Sequence, residues 1–104
     1  MSRTDQPRES SIVKQIMAAL RAIPGVVVRK RHGSSWSVAG DPDLFGSLRG
    51  RHFEIEVKTD TGVLTALQRA RLDEWQRSGA LAGVARSVDD ALAILGIQPG
   101  SQAP

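Results

Sequence analysis

The chain has 104 residues, a formal charge of +3, 40% hydrophobic and 24% charged side chains, which suits one globular domain and argues against disorder. It contains no cysteine and two histidines, so disulfides, thiolate nucleophiles, Cys-based metal sites and a three-histidine metal centre are excluded. No apolar run nears the roughly 20 residues that span a bilayer, and the opening MSRTDQPRES lacks the apolar stretch of a signal peptide, so an intracellular protein is expected.

Residues 1–8 are polar and contain Pro7, and are expected to be a flexible lead-in. From Glu9 to Ile23, the apolar residues Ile12, Val13, Ile16, Met17, Leu20 and Ile23 recur every three or four positions. That spacing predicts an amphipathic helix, which Pro24-Gly25 stops. Val26, Val27 and Val28 begin a predicted strand that continues through Arg29-Lys30-Arg31-His32. Gly33-Ser34-Ser35 reads as a hairpin turn and Trp36–Ala39 as a short returning strand. Asp43–Leu48 forms the next strand, closed by the tight connection Leu48-Arg49-Gly50-Arg51.

His52-Phe53-Glu54-Ile55-Glu56-Val57-Lys58 alternates strictly between polar and apolar. A strand sends successive side chains to opposite faces, so Phe53, Ile55 and Val57 face the core. His52, Glu54, Glu56 and Lys58 share the other face. A second helix is predicted over 65–78, with an imperfect stripe of Leu67, Ala70, Leu72 and Trp75, and Gly79 ends it. Leu81–Ala85 is a last strand. Ser87 then caps a final helix with Asp89 and Asp90 in its first turn, and Gly96 closes it. The predicted order is α-β-β-β-β-α-β-α, an α/β fold with a central mixed sheet flanked by helices. One domain is expected over 9–96, with a flexible tail at 97–104.

If the two strands form a hairpin turning at residues 49–50, Asp43 comes beside Glu56. Two carboxylates held together repel unless a proton or a cation bridges them. A hard ion such as Mg²⁺ takes oxygen ligands, and can polarise a phosphodiester and acidify a bound water. The Val57 carbonyl is a further candidate ligand. Lys58, two residues beyond Glu56 and about 6.6–6.8 Å along the same face, would orient or help deprotonate a water, or stabilise phosphorane charge.

Gly40-Asp41-Pro42-Asp43 followed by Glu56-Val57-Lys58 resembles the signature of the PD-(D/E)xK nuclease superfamily, and within it the VRR-NUC domain. Gly62, Thr65, Gln68 and the stretch Gly83-Val84-Ala85-Arg86-Ser87 extend the likeness over roughly residues 9–95. The resemblance implies a restriction-endonuclease-like core and a Mg²⁺- or Mn²⁺-dependent endonuclease acting on DNA, with Asp43, Glu56 and Lys58 at its centre. It further implies Glu9 as the first-helix acid that completes the metal site. Small stand-alone members are similar to Holliday-junction resolvases, often phage-encoded, so branched DNA and a homodimer are the implied partners. The alternative is a DNA-binding or interaction module that keeps the fold as a scaffold with little or no catalysis.

Other polar residues divide between site and scaffold. Gln68 reaches the site if its helix lies across the sheet. Asp41, next to Pro42, suits a turn, and Glu54 suits the site edge or a basic partner. Arg29, Lys30 and Arg31 are candidate phosphate contacts, with Arg29 and Arg31 on one face of the strand and Lys30 on the other. Arg49 and Arg51 flank a turn and suit solvated side chains more than specific contacts, although near the cleft they would steer DNA. Residues 1–52 carry nine basic and four acidic side chains, so the positive charge lies in this half. Trp36 is expected in the core or a dimer interface rather than against a base, and Trp75 in the core.

Overall fold

A computed structural model describes residues 8–98; residues 1–7 and 99–104, and with them most of the expected lead-in and tail, lie outside the described residues. The periodic segment winds into α1 (Glu9–Arg21), burying Ile12, Val13, Ile16 and Leu20. It stops two residues before Ile23, whose amide bonds the Leu20 carbonyl in a tighter turn. β1 (Val26–Lys30) follows, then β2 (Leu44–Leu48), β3 (Arg51–Val57), α2 (Ala66–Arg77), β4 (Leu81–Ala85) and α3 (Val88–Ile94).

The strands lie in the order β1-β2-β3-β4, antiparallel except for the parallel β3–β4 pair. The result is a four-stranded mixed sheet flanked by three helices, a restriction-endonuclease-like core. There is one strand fewer than expected. Residues 33–41 form turns, not a returning strand, because Ser34 and Ser37 tie up backbone groups that a ladder would need.

β2 and β3 are joined by a two-residue turn in which Arg49 (φ 49°) and Gly50 (φ 89°) both adopt the left-handed conformation. That geometry matches the twist of a hairpin and sets the register Leu48↔Arg51 through Leu44↔Ile55. Phe53, Ile55 and Val57 then point to the face covered by α1 and α3, where they meet Ile16, Leu20, Val28, Leu44 and Ala91 in the main core. Ile97, expected in the tail, packs against this core.

The opposite face lies under α2. Leu72 is the buried residue of this helix, and the rest of its inner side is polar. Gln76 donates to the Ala82 carbonyl, Arg71 to the Ala39 carbonyl, and Trp75 to Asp41. A polar layer of this kind explains the imperfect stripe. Trp75 is half-buried rather than core, its ring 5.0 Å from that of His52. α3 begins at Ser87, whose hydroxyl accepts from the Asp90 amide; Asp90 in turn accepts from the Arg86 amide. No helix among the described residues is long and apolar enough to cross a membrane.

Candidate active site

The hairpin register continued by one residue sets Asp43 opposite Glu56, on the α2 face and at the open end of the hairpin. Asp43 is held from two sides. Its carbonyl accepts from the Arg31 amide at 2.7 Å, and its Oδ2 accepts from the Val57 amide at 2.8 Å. Val57 thus enters the site through its N–H. Gly40 lets the chain reach this position: its φ is 83°, and a Cβ there would lie 2.7 Å from the Leu67 side chain.

Glu56 is only 2% exposed. Burial, and then the neighbouring charge of Asp43, push its pKa up to about 7; Lys58 pulls the other way and Glu9 adds to the rise. Lys58 Nζ lies 3.7 Å from Glu56 Oε2. Gln68 Nε2 donates to the same oxygen at 3.1 Å. The orientation of that amide follows from a capping box at the start of α2. The Thr65 hydroxyl accepts from the Gln68 amide, and Gln68 Oε1 accepts from the Thr65 amide, both at 3.0 Å. With its oxygen engaged, Gln68 can present only its NH₂ group to Glu56.

Asp43, Glu56, Lys58 and Gln68 therefore converge. Glu9 contributes charge to Glu56 from the start of α1. Among the described residues, no three His, Asp or Glu side chains gather into a metal cage. Asp43 and Glu56 still fit a hard divalent ion, since such ions need only one or two carboxylates when waters and phosphate oxygens fill the other positions.

The basic residues separate. Arg29 and Lys30 are exposed on the edge strand β1. Arg31 turns inward: its guanidinium donates to the Pro42 carbonyl at 2.7 Å, and to Glu54 Oε1 and Oε2 at 2.7 and 3.2 Å. It also lies 4.6 Å from the Phe45 ring centroid. Burial would lower its pKa, but the hydrogen bond and charge of Glu54, with Asp41 and Asp43, leave it raised. Arg49 and Arg51 sit at the far end of the hairpin, about 16 Å from Glu56 at ~3.3 Å per residue. Arg51 donates there to the Gly79 carbonyl.

Two contributors have no role in the sequence reading. His52 Nε2 lies 2.6 Å from Glu54 Oε2, closing a chain Arg31–Glu54–His52–Trp75–Asp41 behind the site. Arg86 gathers the Thr59, Asp60 and Gly62 carbonyls, and so shapes the loop that follows Lys58. Arg86 stands inside a quoted motif, but only the folded loop reveals its partners.

No family model matches the sequence, and no curated protein does. Among solved structures, a "VRR_NUC domain protein" superposes with a TM-score of 0.72 over 88% of each chain at 17% identity. A second, "VRR_NUC domain", reaches 0.68 at 24% identity, over 85% of this chain and 94% of that one. The chain has the VRR-NUC fold. Within that fold, Asp43 just before β2, Glu56 in β3 and Lys58 just after it occupy one end of the central hairpin.

Proposed function

We propose that the protein is a divalent-metal-dependent DNA endonuclease, with Asp43 and Glu56 as metal ligands and Lys58 and Gln68 as their working partners. The observation that carries this reading is the placement of half-buried Asp43 opposite buried Glu56, whose pKa is pushed up to about 7. Burying one carboxylate beside another costs stability, so the pair calls for a reason other than packing. The likeness of the fold to VRR_NUC domains supports a catalytic reason.

A bound Mg²⁺ or Mn²⁺ would supply Lewis-acid polarisation of the phosphate and a more acidic water. The chain's own residues do the rest. The Val57 amide fixes Asp43 with one carboxylate oxygen engaged, leaving the other for the ion. The Gln68 amide and the Lys58 ammonium hold Glu56 Oε2, which orients its carboxylate. Lys58, 13% exposed at the side chain, stands between that carboxylate and solvent, placed to guide the attacking water or to stabilise charge growing on the phosphate. Glu9, at the start of α1, adds negative charge near Glu56. Branched DNA as substrate and a homodimer that presents two sites belong to the same proposal; the fold likeness and the suitability of two-fold symmetry for paired cuts support them.

The test is cleavage of labelled four-way junction, flap and plain duplex DNA with Mg²⁺ or Mn²⁺ and with EDTA, beside Lys58→Ala. The expected result is metal-dependent cutting that favours the branched substrates and falls by about 10²–10³-fold in the variant. Cutting by Lys58→Ala at the parental rate would overturn the site, and folded protein that cuts none of the three would overturn the activity.

A further inference from the structure

The two indoles of the chain are treated differently by the fold. Trp75 is half-buried and hydrogen-bonded, whereas Trp36 is 92% exposed. A buried tryptophan removes about 200 Å² from water, so an indole left in solvent forgoes a large stabilisation. The outward position of Trp36 is built by its loop. The Ser37 amide donates to the Ser34 carbonyl at 3.1 Å, making a four-residue turn with Trp36 at its third position. The Trp36 amide donates to Ser34 Oγ, and the Ser34 amide to Ser37 Oγ. Ser37 Oγ donates to the His32 carbonyl, fastening the turn to the end of β1.

The chemistry around this turn suits an anion that carries a flat ring. Exposed Arg29 and Lys30 lead into the loop, and the loop returns through Pro42 to Asp43. A cleft of about 390 Å³, bounded by residues 31–34 and 37–43, opens along it, so the site carboxylate Asp43 and the residues on either side of Trp36 line one space. A second copy of the chain would call for a contiguous apolar patch, of about 800 Å² in an ordinary interface. The neighbours of Trp36 are instead Gly33, Ser34, Ser35 and Ser37, with Val38 and Ala39 as the apolar additions.

We infer that the β1–β2 loop is a binding site for an unpaired nucleotide, with the Trp36 indole as the platform on which its base stacks. The inference rests on the nucleic-acid reading above and narrows it. Bases inside a duplex have no free face, so the site selects single strands, flaps and opened junctions. Stacking of this kind is tolerant of sequence, because every base has a π face.

The test is tryptophan fluorescence and affinity in EDTA, which separates binding from cleavage. Probes are a single-stranded oligonucleotide, a flap, and a duplex closed at both ends by hairpins. The single strand is expected to quench emission, and Trp36→Ala to abolish that quenching and weaken single-strand and flap binding about tenfold. Trp36→Phe should lose less, and affinity for the closed duplex should change little. Equal losses on all three probes, or no quenching in the parent protein, would overturn the site. So would emission that shifts with protein concentration alone and stops doing so in Trp36→Ala, which would assign the indole to a second copy. Trp36-dependent quenching in a protein that cuts no DNA would support the site while the nuclease reading fell.

Discussion

Arg31 and Glu54, 23 residues apart, form a forked ion pair beneath the site, with the carboxylate fully buried and the guanidinium shared with the Pro42 carbonyl. The pair bolts β1 to β3 and holds the peptide just before Asp43. It also removes one cation from the basic run that sequence alone offers to DNA.

Removing one partner leaves the other charged and buried. Arg31→Met is therefore expected to cost about 3–5 kcal/mol, while Arg31→Met with Glu54→Leu should recover most of that loss. Urea unfolding of the single and double variants measures both. A loss under about 1 kcal/mol in Arg31→Met would mean that the pair is not what holds Pro42 in place.

Glu56 gives a pH dependence whose direction follows from its raised pKa. The unfolded chain releases this proton near 4.5 and the folded one near 7. The metal-free protein therefore loses stability as pH rises through that window, by on the order of 3 kcal/mol, and stays at the lower level above it. Glu56→Gln should remove the slope. A divalent ion must displace the same proton below pH 7, so Mn²⁺ affinity should climb about tenfold per unit up to that point and then level. Calorimetry in buffers of different ionisation enthalpy should find close to one proton released at pH 6 and close to none at pH 8.

The parts legible from sequence are those set by local chemistry. The alternation of Phe53, Ile55 and Val57 with Glu54 and Glu56 and the Arg49-Gly50 turn suffice to set Asp43 against Glu56. What stays hidden depends on distant partners. Arg29, Lys30 and Arg31 look alike in a row, and only Glu54 and the Pro42 carbonyl distinguish Arg31. Trp36–Ala39 carries strand-like residues, yet the serines around it satisfy the backbone locally and make a turn. Trp75 reads as core because its helix faces the sheet, but that face of the sheet is lined with carboxylates and draws a polar layer from α2.

Gln68 combines a cap and a site contact, and one substitution separates them. Gln68→Ala loses the reciprocal half of the capping box and the bond to Glu56, so about 1 kcal/mol of stability and cleavage should both fall. Glutamate at this position can still accept from the Thr65 amide but cannot donate to Glu56. Gln68→Glu is therefore expected to keep more of the helix stability while losing at least as much cleavage. Thermal melts beside single-turnover rates decide it. Cleavage that tracks the melting temperature across both variants would reduce Gln68 to a cap.

Phosphate contacts should follow position rather than charge count. Arg29 is exposed on the edge strand that leads into the β1–β2 loop, whereas Arg51 is bonded to the Gly79 carbonyl at the far end of the hairpin. Arg29→Ala is expected to weaken binding evenly across sequences and to lower the slope of log affinity against log salt by about 1. Arg51→Ala should leave that slope unchanged. Titrations at several salt concentrations with two closed duplexes of different sequence, in EDTA, measure both. A slope that drops equally in the two variants would place DNA across the whole hairpin rather than at its open end, where Asp43 and Glu56 lie.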